Sequence, residues 1–491
     1  MRVLRRAENV PLSGAATGGV GAVPAPRMEP LGVRRASAGA PAATRTWLPT
    51  DPLRWTVFLL VVMTVSRING KVAFLTPLRP LLLLSAAALA YAVMNPRFLS
   101  RLAWPRTWPA RVVAAFAVVA CLSAVFGISL GGAAMFILQD YSKVLIVAFL
   151  LMATIESTRD LHMYIWAYVI ASGVLVVDSL LGGQMMRASV NVSMQRLSNF
   201  NTTYDANDLG VVLLVGLPLA LYTFQMSRVW GKIVSLATML GIGVVVAKTG
   251  SRGALVGLVA FSIAAILLID SVALPKRVGL VLATLVALSF ASPEGYWNQM
   301  KTILSPKEDY NWTAETGRRM VLQRGLSYLA AYPVFGVGIN NFPMAEGTIS
   351  ERARRWMPGE MGIAWITAHN SHLQVASEMG LAGFSLWVTL LGGLVWSTAR
   401  LGRRMPSRWA TGTFDERVPY HATRCIPVAT VAFAASGAFV SFAYLDPIYI
   451  LAALTAGILV LTRARRGNPG KRRMRGRNNH QVPILPVRAA P

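Results

Sequence analysis

The sequence predicts an all-α integral membrane protein with about twelve transmembrane helices. Three observations lead there. Hydrophobic residues make up 54% of the 491 and charged residues only 14%, where a soluble protein carries roughly a quarter. The mean hydropathy is +0.49. The apolar residues fall in runs long enough to cross a bilayer, with basic residues between them. The formal net charge of +27 follows that same distribution. It reads as membrane topology and attraction to anionic lipid, and no nucleic-acid partner is expected.

In chain order, residues 1–50 are rich in Ala, Gly, Pro and Arg and contain no apolar run. They read as a disordered basic cytoplasmic tail without a cleavable signal peptide. Spans 1–9 are expected within 51–291, at about 54–70, 76–95, 109–127, 132–153, 160–182, 207–226, 229–247, 252–270 and 276–291. Pro275 and Pro293 bracket the ninth. Residues 292–377 form one large outer loop, expected to be helical. Spans 10–12 follow within 378–463, at about 378–398, 424–443 and 446–463, and 464–491 form a second basic tail. Twelve spans return both ends to one side, and the basic tails make that side the cytoplasm. The inner loops agree: Arg97, Arg101 and Arg106 follow span 2, Arg228 and Lys232 follow span 6, Lys276 and Arg277 follow span 8, and Arg400, Arg403, Arg404 and Arg408 follow span 10. Cys121 and Cys425 lie in or beside spans and make no disulfide framework.

Three outer segments carry cations against that rule. One holds Arg187 and Arg196. The second is Lys248-Thr249-Gly250-Ser251-Arg252. The third is the long loop, with Lys301, Lys307, Arg318, Arg319, Arg324, Arg352, Arg354 and Arg355 ahead of His369. Outer arginines often do no more than snorkel to headgroups. Arg252 differs, because its Gly-Ser-Arg-Gly turn opens a helix. Free N–H groups beside a guanidinium make an anion site, and arginine matches phosphate bidentately. In the long loop, residues 315–331 predict an amphipathic helix with Met320, Leu322, Leu326 and Leu329 on or near one face, ended by Pro333. A Gly-rich turn, VFGVGINNF, comes next. Residues 341–365 are polar, with Trp356 and Trp365 placed to sit at a membrane interface.

The chain has five histidines, and His369 and His372 stand together where the loop enters span 10. Histidine trades protons near neutrality. Arginines that hold a diphosphate beside a histidine that takes a hydroxyl proton form a group-transfer arrangement. Packing or helix capping is the plainer role for such a histidine. No metal site is expected: there is no HExxH and no Cys or carboxylate set completes a zinc site. Asp205, Asn207 and Asp208 read as a helix cap rather than a cation loop. AKTGSRGA lacks Walker spacing, and no nucleophile elbow occurs.

His369-Asn370, nine residues, Gly380, two residues, Gly383 resembles the HNx9GxxG signature of the O-antigen ligase and polymerase superfamily. Asp205–Pro218, Thr249–Gly257, and Gly317-Arg318 with Tyr332–Gly338 and Asn341-Phe342 fit the same pattern, so the resemblance runs from about 200 to 395. It implies an enzyme of the bacterial inner membrane with its loop and active site periplasmic. The reaction implied is transfer of a glycan from undecaprenyl diphosphate to a hydroxyl of lipid A–core, another glycan or a protein. Carried over residue by residue, His369 matches the family's essential His, Arg252 the Arg of its SRG turn and Arg318 that of its loop helix. Arg319, Lys248, Asn370, Arg196 and Asp205 are the further substrate-binding candidates. Gly380 and Gly383 would permit close helix packing. Arg319 follows Arg318 directly, so the motif leaves open which faces the site. No cofactor is implied. The first outer loop, about 69–76, has no carboxylate and no WWDYG occurs, unlike metal-dependent oligosaccharyltransferases. Metal-independent, inverting transfer is therefore the expectation.

Within the superfamily, a lipopolysaccharide ligase, a repeat-unit polymerase and a protein O-oligosaccharyltransferase share these features. Outside it, an anion transporter is the rival. Transporters often show internal repeats and midplane charges. No repeat is visible here, and midspan charges are few: Asp140, Lys143 and Asp178. A non-catalytic scaffold for envelope assembly is the third reading.

Overall fold

Several helices begin on proline: α1 (Pro52–Ser66), α2 (Pro80–Met94) and α3 (Pro96–Leu102). Proline at the first helical position costs no hydrogen bond and presets φ. The structure, a computed structural model, describes residues 51–70, 79–102, 106–189, 192–198, 204–305, 312, 314, 317–355 and 366–466. The expectations for 1–50, for most of the first outer loop, for Lys307, Trp356 and Trp365, and for the tail beyond Arg466 lie outside them.

The helices continue as α4 (Trp108–Phe126), α5 (Leu130–Thr154) and α6 (Thr158–Gly182). An antiparallel hairpin, β1 (Gln184–Ser189) and β2 (Val192–Ser198), follows. Then come α7 (Ala206–Met226), α8 (Val229–Thr249), α9 (Arg252–Leu268) and α10 (Leu274–Ala291). The long loop holds short α11 (Tyr296–Lys301), α12 (Arg318–Ala331), α13 (Phe342–Thr348) and α14 (Glu351–Arg355). The chain closes with α15 (Ser371–Arg403), α16 (Phe414–Gly437) and α17 (Asp446–Arg466).

Every expected span lies wholly or largely on a helix, yet among the described residues only eight helices are long and apolar enough to cross a bilayer, or nine if the bent pair α2–α3 counts as one span. The physical difference from twelve is plain. Helices α1 and α9 are apolar but short, and α16 carries Asp415, Glu416, Arg417 and Arg424. The expected span at 424–443 also ends early. Helix α16 stops at Gly437, because side chains of α15 take the backbone groups of 440–443: Ser371 Oγ donates to Val440 O (2.8 Å) and accepts from Phe442 N (2.9 Å), and Gln374 Oε1 accepts from Ala443 N (3.3 Å). In the apolar core, α7 is central, with most of its residues buried, and α10 is peripheral, with few.

Helix α12 forms where predicted but turns another face inward. Val321, Arg324, Gly325 and Tyr328 are buried, while Leu322 and Leu326 are exposed. The reason is a polar anchor. Glu346 of α13 accepts from Arg324 Nε (2.8 Å) and Tyr328 OH (2.7 Å), and a Cβ on Gly325 would meet Leu373 of α15 at 2.8 Å. The inward face thus combines this ion pair with Val321 and Tyr328, which pack with Phe342, Ala345 and Leu373.

Helix α15 spans 33 residues and breaks at Gly380 (φ 62°, ψ −164°). The VFGVG turn enters the break. Val337 N donates to Ser377 O (2.9 Å) and Gly338 N to Glu378 O (3.0 Å), while Leu381 N donates to Pro333 O (2.8 Å) and Ala382 N to Val334 O (3.2 Å). A helix break leaves backbone groups unpaired on both sides, and this segment pairs them. The Glu378 carboxylate completes the clasp by accepting from Asn340 N (2.9 Å) and Phe342 N (3.1 Å). Gly380 therefore admits a turn of the long loop rather than a neighbouring helix, correcting the expectation of close helix packing. A side chain there would strain the backbone and strike Val334 O. Gly380→Ala should lose at least about 1–3 kcal/mol of stability, read as a lowered midpoint in thermal unfolding in detergent. Gly392→Ala on the same helix, where a Cβ meets nothing within 4 Å, should leave the midpoint unchanged or raise it.

Candidate functional site

The predicted site residues come from four separate stretches that meet at one end of the helical bundle. Asp205 opens α7 as its N-cap, accepting from Asn207 N (2.7 Å) and Asp208 N (2.8 Å) in a capping box with Asp208. Ser251 caps α9, and Arg252 is its first residue, buried. Asn370 caps α15, accepting from His372 N (2.9 Å) and Leu373 N (3.1 Å). Three helix N-termini thus gather beside one another, each contributing partial positive charge.

Arg196 of β2 is a strut. Its Nε donates to Thr249 O (2.8 Å) and its Nη2 to Asn207 Oδ1 (2.8 Å), which also accepts from Ser251 Oγ (2.8 Å). The hairpin, the start of α7 and the Gly-Ser-Arg turn are tied together behind Arg252. Arg252 Nη1 donates to Thr302 Oγ1 (3.0 Å) at the end of α11. Lys248 is half-buried in the last turn of α8.

The segment 438–445, between α16 and α17, organises the front of the site. Phe439 packs against Gly253 in the first turn of α9, where a Cβ would collide with its ring. The Arg318 guanidinium lies over the same ring, 5.1 Å from its centroid, and Nη2 reaches Phe439 O at 3.5 Å. The first turn of α9, which begins with Arg252, and the Arg318 guanidinium therefore meet at one aromatic side chain. Two residues on, Ser441 Oγ accepts from His369 N (2.9 Å). His369 has φ 46°, an uncommon left-handed conformation for a non-glycine residue, and this bond helps hold it. Phe442 faces Tyr204, with ring centroids 6.3 Å apart, and the Arg67 guanidinium lies 4.4 Å from the Tyr204 centroid. Burial pushes the Tyr204 phenol up to about 12 against the pull of Arg67, so it stays neutral.

Among the described histidines His369 is the exposed one. Its Nε2 lies 3.4 Å from Thr367 Oγ1. Desolvation by the surrounding protein and then the Arg318 guanidinium push its imidazole below the ordinary value, and the Asp205 carboxylate opposes them. The ring is crowded by protein yet reachable from solvent. His372 has a different job. It accepts from Trp387 Nε1 (2.9 Å) at Nδ1 and meets Ala434 O (3.0 Å) at Nε2, fastening α15 to α16.

His369, Arg318 and Asp205 thus lie within electrostatic reach of one another, with the start of α9 alongside through Phe439. Arg319 is exposed while Arg318 turns inward, so the ambiguity between the neighbours resolves to Arg318. Arg196 and Asn370 serve the architecture, as strut and cap. Sequence reasoning missed Phe439, Ser441, Phe442, Tyr204 and Arg67. Residues 438–443 look like the end of an apolar span, and no pattern marks them as a turn. An imidazole held below its ordinary value beside the Arg318 guanidinium, near three helix N-termini, can accept a proton next to a bound anionic group.

Residues 234–388 match the O-antigen ligase family. Lys248, Arg252, Arg318, His369, Gly380 and Gly383 all fall in that stretch, over which the chain is O-antigen ligase-like, as the motifs indicated. No curated protein matches the chain. A solved structure from work on structural coordination of polymerization and crosslinking by a peptidoglycan synthase complex aligns at 18% identity, over 74% of this chain and all of that chain, with a TM-score of 0.37. A likeness that slight carries no weight for fold or function.

The charges around His369 give a signed prediction. Diethylpyrocarbonate modifies neutral imidazole, so its rate at His369 against pH, followed by peptide mass spectrometry, reports the titration. The midpoint should fall below about 6.5, the ordinary histidine value. Arg318→Gln should move it up, because a neighbouring cation that disfavours imidazolium is gone. Asp205→Asn should move it further down.

Proposed function

We propose that this protein transfers a glycan from undecaprenyl diphosphate to an acceptor hydroxyl at the periplasmic face of the bacterial inner membrane, without a metal ion and with inversion. The convergence of His369, Arg252 and Arg318 on residues 438–445 carries the proposal, and the match to the O-antigen ligase family supports it. Arg252 and Arg318 hold the diphosphate, with Lys248 adding positive charge at the rim. His369, neutral at physiological pH because of its surroundings, accepts the proton of the acceptor hydroxyl. The hydroxyl oxygen bonds to the anomeric carbon from the face opposite the diphosphate. The bond from that carbon to the diphosphate oxygen breaks, and its electron pair leaves on undecaprenyl diphosphate, where the two guanidiniums stabilise the developing charge. Attack from the opposite face inverts the anomeric centre. Both chain ends are cytoplasmic in this scheme, as the basic inner loops indicate.

Ligation to lipid A–core is the preferred reaction, and polymerisation of repeat units or transfer to protein are its alternatives within the family. A deletion strain distinguishes them on a gel of envelope glycans. Loss of every long chain from lipid A–core is expected for a ligase, a single repeat left on the core marks a polymerase, and unchanged lipopolysaccharide with an altered glycoprotein marks protein transfer.

With purified protein and lipid-linked donor, His369→Ala should slow transfer on the order of 10²–10⁴-fold, the usual range for a general base. Activity should persist in EDTA; abolition by EDTA and rescue by manganese would overturn the metal-independent reading. Ser441→Ala should lower kcat with little change in KM, by up to roughly 10²-fold for a misplaced base, and Ser441→Thr should restore it.

A further inference from the structure

A groove of about 900 Å³ lies between α15, α16 and the far end of α9. Leu268, Leu391, Val395 and Val431 make its wall apolar, and Gly392 leaves it open. Arg400 and Arg403 stand at one end, with Trp396 beside them. Helix α15 runs 33 residues from the His369 end to Arg403. Beyond the break at Gly380, residues 381–403 rise about 34 Å at 1.5 Å per residue, enough to cross the bilayer core, which puts the two arginines at the opposite surface.

Charge decides what fits there. Neither guanidinium forms an ion pair among the described residues; Arg400 lies 4.8 Å from the Trp396 centroid. Asp270, two residues past Leu268, is already held by Arg424. Tryptophan and arginine at a span end mark the depth of lipid headgroups. The groove therefore offers an apolar slot ending in two cations that no carboxylate of the described protein neutralises, a shape complementary to an acyl chain with an anionic head. Its volume lies in the range of pockets that bury a ligand of several hundred Å³.

We infer that the groove binds one anionic glycerophospholipid from the leaflet opposite His369. The phosphate meets Arg400 and Arg403, and an acyl chain lies along Leu391, Val395 and Val431. The site is separate from the proposed glycan transfer and does not depend on it. Two cations near an anionic lipid surface favour it over a zwitterionic lipid by roughly 30-fold.

The test uses the full-length protein in detergent, equilibrated with equimolar phosphatidylglycerol and phosphatidylcholine and examined by native mass spectrometry. One retained phosphatidylglycerol per chain is expected, at roughly 30:1 over phosphatidylcholine. The double variant Arg400→Gln/Arg403→Gln should erase the preference, and Gly392→Phe, which fills the slot, should remove the retained lipid. Equal retention of the two lipids by the unaltered protein would mean annular lipid only and overturn the inference. So would phosphatidylglycerol retention unchanged in both variants, or undecaprenyl phosphate held in its place, which would give the groove to an isoprenoid chain.

Discussion

Where α15 breaks at Gly380, backbone hydrogen bonds run both ways between it and residues 333–338, and the Glu378 carboxylate binds the next two free amides at 340 and 342. This clasp fixes the long loop to the membrane helices. It sets the end of α12, and α12 then lies with Gly325 against Leu373 and Arg324 paired to Glu346. The first residue of α12 is Arg318. Its guanidinium meets Phe439 directly, from a helix whose end the break has placed.

The second dependence is on residues 438–445. Ser371 and Gln374 of α15 capture backbone groups there, and Ser441 returns a bond to His369 N. Phe439 is shared by the start of α9 and by Arg318. A short non-helical turn thus serves the arginine of the tight turn, the arginine of the loop helix and the histidine together. Collecting this much positive charge at three helix starts is electrostatically unfavourable without an anion. Asp205 offsets part of it, and the remainder matches the diphosphate that the proposed reaction requires.

The helices were legible because apolar length is local information: each expected span appears wholly or largely as helix. The inward face of α12 was not, because a leucine stripe says nothing of Glu346 waiting on α13. The end of α16 was not, because Val440, Phe442 and Ala443 are as apolar as the helix before them. The site was legible in its charged members, since His369, Arg252 and Arg318 sit in a recognisable pattern. Its aromatic and hydroxyl members, Phe439, Ser441 and Tyr204, look like any residues of a span or loop.

By itself the sequence determined the membrane class, the approximate helix positions, the family resemblance and which charged residues and histidines are candidates for the site. These depend on composition, periodicity and spacing along one chain. The tertiary structure alone decided that Arg318 rather than Arg319 turns inward, that Gly380 opens a helix to a turn of the long loop, that Asn370 and Arg196 brace rather than face the centre, and that Ser441 holds His369. Arg318 meets Phe439 121 residues on, and Ser441 meets His369 72 residues back; pairings at that separation leave no trace in local pattern.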